Sequence, residues 1–208
     1  GRITTHWVAV SQADRRQGIE WGLFTASKVS VVRPGIDPTA FAARIESPER
    51  DRLRAMLGVA PDQLLVGTVS CLKPQKSPED FVRVAALVCQ RVPAARCVLV
   101  GDGALRPKVE ALLLAQGLQD RVTLLGWRRD VAALLKAFDV FVLTSQWEGL
   151  PCAILEARAS RIPIVATRVG GAAEAIVEGI QGTLCPAGDV RAMAERVCQI
   201  LEDERFRV

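Results

Sequence analysis

The segment from Ser145 to Ser160, SQWEGLPCAILEARAS, carries two carboxylates, Glu148 and Glu156, separated by seven residues that are all small or apolar. If the second acid lies on a helix, its neighbours three and four positions away are Cys152, Ala153, Ala159 and Ser160. None is a cation, so the usual ion pair along a helix is not available to it. Such a carboxylate needs solvent, a distant cation or a ligand hydroxyl, because burying it unpaired costs roughly several kcal/mol. A plain surface glutamate is the alternative. Glu148 stands just before Gly149, Leu150 and Pro151, and Pro151 suits the first position of a helix. Amides near residues 149–153 would then lack helical partners and face outward with the positive end of the helix dipole. Carboxylates for hydroxyl groups beside amides for an anion suggest a ligand with both.

Cations for the anion occur in the loop Ser70–Ser77, which holds Lys73 and Lys76 before a helix opening Ser-Pro-Glu-Asp. Two lysines beside free helix amides form a site for phosphate, against the alternative of two solvated side chains. Gly101-Asp102-Gly103 begins a dinucleotide fingerprint, but Arg106 replaces the third glycine. It also follows the second strand of its sheet, so hydride transfer with a nicotinamide cofactor is disfavoured and a ligand-facing turn remains. No G-K-[ST] phosphate loop occurs. Gly126-Trp127-Arg128 leaves another strand, and its tryptophan either covers a base or caps the core, the core being the first reading. Gly170 and Gly171 open a further helix, where they admit a ligand to the backbone or serve a tight turn.

The elements that must position these residues alternate along the chain from about residue 63. Leu64–Val69, Cys97–Val100, Val122–Leu125, Val140–Thr144, Ile164–Ala166 and Thr183–Cys185 read as strands. Several are continuous apolar runs, as expected of strands covered on both faces. Between them, helices are expected over Pro78–Arg91 with Ser77 as cap, Leu105–Gln116 ended by Gly117, Val131–Phe138 capped by Asp130, and Val190–Leu201 capped by Asp189. Repeated strand-then-helix units predict an α/β fold with a parallel, doubly wound, Rossmann-like sheet. Ligands of such sheets bind outside the carboxyl ends of the strands, where all the loops above lie.

The first third differs. Trp7–Val10 and Lys28–Val32 read as strands around a helix at Gln12–Gly18, and RPGIDPTAF then reads as a linker before a helix at Pro48–Leu57. Residues 1–33 are too few to bury a core and are expected to be the tail of a preceding domain. Residues 34–62 form the linker and first helix, and 63–208 the main domain. The start Gly-Arg-Ile-Thr-Thr, without methionine or signal pattern, suggests a piece of something longer.

Composition narrows the chemistry. The 208 residues carry a net charge of +4, six cysteines and one histidine, His6. A Ser-His-Asp triad and a histidine metal site are therefore disfavoured. No cysteine pair is spaced C-x-x-C, and buried thiols in a reducing compartment are expected. No apolar run of membrane-spanning length occurs. The basic residues are scattered without interleaved aromatics, so a nucleic-acid partner is not expected.

Taken in order, these blocks resemble the C-terminal domain of retaining glycosyltransferases of family 4, which have the two-domain GT-B fold. EGLPCAILEARA is similar to the family's E-G-x-P and E-x7-E pattern, and PIVATRVGGAAEAIVEGIQGTLCPAGD to its later block with paired glycines and a glutamate. RPGID resembles its interdomain linker, and VAVSQADRRQG the end of its acceptor-binding domain.

The resemblance implies a nucleoside-diphosphate sugar as donor and no metal or other cofactor, in keeping with the absence of D-x-D. Glu148 would contact the transferred sugar, helped by Gly149, Leu150 and Pro151. Glu156 would accept from the ribose hydroxyls, Lys76 would meet the diphosphate, and Gly126, Trp127 and Arg128 would border the base near Gly101 and Gly103. Cys71 stands where the family often has arginine, and Lys73 is expected to substitute for it. The reaction would be transfer with retention, by internal return assisted by the leaving diphosphate, which makes Glu148 a positioning group rather than a nucleophile. Partners would be the missing acceptor domain and an acceptor glycan or lipid-linked sugar. A cytoplasmic protein, at most peripheral on the inner membrane face, would serve cell-surface polysaccharide or glycolipid synthesis. The fragment alone is expected to be inactive in transfer. A GT-B epimerase and a non-catalytic nucleotide-sugar-binding module are the alternatives.

Overall fold

Parallel pairing begins with the shortest strands. β1 (Trp7–Ala9) and β2 (Val29–Val31) lie side by side, joined through helix α1 (Gln12–Glu20). Ser11 caps α1, its hydroxyl accepting from the Asp14 amide. These are the strand, helix and strand expected in the first third. The computed structural model describes residues 3–43, 46–203 and 205. Gly1 and Arg2 of the expected tail, Arg44 and Ile45 of the expected linker, and Glu204 and Phe206–Val208 lie outside the described residues.

The stretch 32–38 is irregular, and the linker then forms a short helix, α2 (Thr39–Ala42), which proline and glycine nearby had hidden. α3 (Ser47–Met56) follows and is docked by charge. Its buried Arg54 meets the buried Asp139 at 3.0 Å, and Arg50 reaches the same carboxylate at 2.8 Å. Asp139 also accepts from the Leu65 amide, so one carboxylate ties α3 to the start of the next strand.

Six strands build the main sheet: β3 (Leu64–Val69), β4 (Ala95–Val100), β5 (Val122–Gly126), β6 (Val140–Leu143), β7 (Ile164–Thr167) and β8 (Gly182–Cys185). Their spatial order is β5-β4-β3-β6-β7-β8, all parallel. The α/β doubly wound architecture expected from the strand-helix alternation is therefore the one observed. Helices α4 (Pro78–Arg91), α5 (Arg106–Ala115), α6 (Val131–Ala137), α7 (Cys152–Ala159), α8 (Ala172–Ala175) and α9 (Val190–Glu202) connect or follow the strands.

Alternate residues of each strand feed two apolar layers. Val66, Leu99, Val142 and Val165 pack with Phe81, Val88 of α4 and Met193, Val197 of α9. Leu65, Val98, Phe141 and Ile164 pack with Leu134 of α6 and Ile154 of α7 on the other side. Both faces being covered explains why the strands are continuously apolar.

Local details depart from expectation at three helix starts. Ser77 precedes α4 in the left-handed region (φ 43°), and its hydroxyl donates to Asp80 rather than capping. Asp130 precedes α6 but its carboxylate is held by Arg128. Pro151 is the residue before α7, one position earlier than the first helical residue. Asp189 does cap α9 by accepting from the Ala192 amide, and Gly117 (φ 63°) follows α5 as expected. No described helix is long and apolar enough to cross a membrane.

Candidate functional site

The order of strands reverses direction at β3, whose neighbours are β4 and β6. The loops that leave the carboxyl ends of β3 and β6 therefore start side by side at the switch point, the place where doubly wound sheets bind their ligands. These are the lysine loop and the loop of Glu148.

The two loops are stitched together. The Gln146 amide donates to the Gln75 carbonyl at 2.8 Å. The Gln75 side chain donates to the Trp147 carbonyl at 2.9 Å, and the Thr144 hydroxyl donates to the carbonyls of Lys76 and Ser77. At the centre, Lys76 Nζ lies 2.5 Å from Glu148 Oε1, and the Ser145 hydroxyl donates to the same oxygen at 2.6 Å. Glu148 is only 7% exposed, so this ion pair is shielded from solvent. Sequence reasoning placed both residues near a ligand but did not pair them.

The turn after Glu148 is shaped by close backbone approach. A Cβ at Gly170, which sits at φ 46°, would fall 1.8 Å from the Glu148 carbonyl oxygen. Gly171 lies equally close to the Gly149 carbonyl and donates its amide to it at 2.8 Å. Of the two readings for these glycines, the tight turn accounts for both. Gly101 and Gly103 likewise fit the β4 loop against the backbone of Ser70 and Leu72, a protein contact that already requires them to be small.

Leu150 packs on the core beside α7 and Pro151 is buried, so the turn is held from below. Glu156 is half-buried on the second turn of α7, and among the described residues no hydrogen bond or ion pair engages its carboxylate. Burial pushes its pKa up. That is the unpaired acid anticipated from its helical neighbours. Lys73 is exposed on the same loop as Lys76 and makes no ion pair among the described residues.

The Gly126 loop corrects one expectation. Trp127 is 72% exposed, so it does not cap the core; the strand ends at Gly126 (φ 65°), which turns the next residue outward. Arg128 is held by Asp130 at 2.5 Å. The Gly126 carbonyl accepts from the Gly101 amide, so the β4 and β5 loops adjoin. Trp147, also exposed, was not singled out by its sequence context although it neighbours Glu148.

Cysteine burial is mixed. Cys97, Cys185 and Cys198 are buried as expected, but Cys71 and Cys89 are half-buried and Cys152 is exposed, at the first turn of α7. Among the described residues no group of histidine, cysteine or acidic side chains could hold a metal. A hollow lined by Ile36, Leu155, Ile180, Gly182 and Arg196 lies at the opposite end of the sheet, where β7 and β8 begin. It contains none of the candidate residues.

Sequence missed a second cluster beside Glu148. Glu174 in α8 accepts from the amides of Gln12 and Ala13, at 3.1 and 2.8 Å, and pairs with Arg33 at 2.9 Å. Burial acts to raise its pKa, but Arg33 and those amides outweigh it and hold the carboxylate below its ordinary range. Asp14 points at Gly149, where a Cβ would lie 3.1 Å from its Oδ2. Burial raises the Asp14 pKa, the Ser11 hydroxyl opposes this, and Glu174 adds to it.

A doubly wound sheet with a carboxylate and a lysine converging at its switch point places the chain in the α/β class whose ligands bind at that point. The chain belongs to the glycosyl transferases group 1 family, whose pattern matches residues 61–203. It is 30% identical to UDP-Gal:alpha-D-GlcNAc-diphosphoundecaprenol alpha-1,3-galactosyltransferase of Escherichia coli, over 100% of this chain and 54% of the relative. It is also 30% identical to the D-inositol 3-phosphate glycosyltransferase of Mycolicibacterium smegmatis, over 86% of this chain and 41% of the relative. Among solved structures, Anabaena HepE in complex with UDP and glucose superposes with a TM-score of 0.90 at 29% identity, over 99% of this chain and 56% of HepE. The chain spans about half the length of the curated relatives it matches.

Proposed function

We propose that this chain is the C-terminal, donor-binding part of a retaining family-4 glycosyltransferase, which moves a hexose from a nucleoside-diphosphate sugar to an acceptor hydroxyl. The observation that carries the reading is the meeting of Lys76 and Glu148 at the switch point of a group 1 glycosyltransferase sheet. HepE, so similar over the whole chain, binds UDP and glucose, which makes a uridine nucleotide the first donor to test.

In this reading residues 63–208 hold the donor, 34–62 link the domains, and 1–33 end the acceptor domain. Lys76 exchanges Glu148 for the diphosphate, assisted by Lys73. Glu148, freed, accepts from the sugar hydroxyls beside the amides of Gly149 and Leu150 and the turn at Pro151. Glu156 accepts from the ribose, and Trp127, exposed next to Gly126 and Arg128, lies over the base near Gly101 and Gly103. Catalysis then rests on positioning and on stabilising negative charge as the diphosphate departs. The E. coli relative's name, with its diphosphoundecaprenol-linked sugar, supports a lipid-linked acceptor and work at the inner face of a membrane.

A thermal-shift series with UDP, GDP, ADP and their sugar conjugates tests the reading. A ligand at one hundred times its Kd adds about 2.7 kcal/mol to apparent stability. A rise in midpoint with one base and its sugar conjugate is expected; no rise with any of them would overturn the proposal.

A further inference from the structure

Glu174 lies in α8, after the paired glycines that follow β7, at the same end of the sheet as Glu148. Its carboxylate reaches back across more than 160 residues of sequence to the first turn of α1, accepting the Gln12 and Ala13 amides. Ser11, fully buried, satisfies the next amide, that of Asp14. The first amides of a helix have no partners of their own, and a carboxylate there also meets the positive end of the helix dipole. Arg33, just past β2, closes the clasp from the far side of the same segment.

The clasp bears directly on the candidate site. Gly171, three residues before Glu174, is packed on Gly149 and on the Ser11 side chain, and Gly149 is packed on Val10 and Asp14. The turn Glu148–Gly149 is thus held between the paired glycines on one side and the start of α1 on the other. No other residue of the main sheet's loops caps α1 through its side chain among the described hydrogen bonds.

From this arrangement we infer that Glu174 is a positioning residue that fixes the start of α1, and with it Asp14, against the turn carrying Glu148. The inference rests on the proposed donor site, because it assigns the clasp the task of setting the acceptor-side segment at a fixed distance from the transferred sugar. Acceptor-side geometry is then governed by a carboxylate that touches neither donor nor acceptor. Asp14, half-buried at Gly149, is the side chain the clasp presents toward the sugar position.

The test is hydrogen exchange of the Gln12, Ala13 and Asp14 amides in this chain, with UDP thermal shifts measured in parallel. Glu174→Ala removes both amide bonds and the Arg33 pair, and exchange at Gln12 and Ala13 is expected to speed up about tenfold, the scale of a lost helix cap joined to a lost charged bond. Glu174→Gln keeps an acceptor oxygen and gives a smaller acceleration, while amides within β3 and β6 and the UDP shift stay as in the parent chain. Unchanged exchange at Gln12 and Ala13 in Glu174→Ala, or an equal acceleration throughout the main sheet, overturns the inference. A parent chain that shows no shift with UDP, GDP, ADP or their sugar conjugates but loses protection at α1 in the alanine variant would sink the donor reading and leave the clasp standing.

Discussion

Lys76 and Glu148 touch at 2.5 Å, shielded from solvent, and each is the other's ionic partner. Losing one member of such a pair strands a buried charge, which costs about 3 kcal/mol, while losing both is far milder. Lys76→Ala is therefore expected to lower the urea midpoint clearly. Lys76→Gln combined with Glu148→Gln should recover most of that stability and yet give no nucleotide-induced shift. If the double variant regains binding along with stability, these groups do not hold the donor. Glu156 makes a different prediction. Burial raises its pKa, so the folded chain binds its proton more readily than the unfolded chain does. Its contribution is most favourable below the ordinary carboxylate range and declines as pH rises through that range to the raised value. Glu156→Gln should accordingly melt higher than the parent at about pH 7.5 and no higher at about pH 4. A stabilisation independent of pH would mean the carboxylate is not desolvated. The unpaired state of this acid was legible because helical spacing alone lists its neighbours. The Lys76–Glu148 contact was not, since its members stand 72 residues apart and nothing local brings them together.

At the scale of elements, the strands were readable wherever both faces are covered. Leu64–Val69 matches β3 end to end, and the other five differ by one or two residues at an end. β4 begins earlier than its apolar run because Ala95 and Arg96 already pair with Leu64 and Leu65. α2 escaped because it lies in a stretch whose prolines and glycine argue for a linker. Helix starts were misread where a capping side chain found a better partner, as Asp130 did in Arg128. Trp127 was misjudged because a strand exit does not disclose which way the next side chain turns. The docking of α3 was invisible for a fourth reason, as Arg54 finds Asp139 only once the sheet exists. Its consequence can be measured. Arg54→Ala leaves Asp139 buried with Arg50 as its remaining cation, and should lower stability by about 3 kcal/mol in urea denaturation. An effect near zero would show that α3 is held by its apolar face alone.

For the whole molecule, the main sheet is covered on both faces while the N-terminal pair of strands leaves apolar side chains exposed. β1 and β2 pair only with each other among the described residues, and Val8, Trp21, Leu23 and Val32 around them are more than half exposed. A two-stranded unit with an apolar surface is marginal by itself and marks a face that takes further structure. The relatives, about twice as long, are consistent with that face continuing into an acceptor-binding half. On the proposed reading, donor binding needs only the loops at the carboxyl ends of the main sheet, whereas transfer needs an acceptor hydroxyl held within reach of the donor sugar. The chain as it stands should therefore bind its nucleotide in calorimetry while mass spectrometry of mixtures with UDP-sugars and lipid-linked or free glycan acceptors finds little or no glycosylated product. Joining it to an acceptor domain should restore product with no large change in nucleotide affinity. Ready transfer by the 208 residues alone would place acceptor recognition on surfaces of the chain itself, the start of α1 at Asp14 first among them.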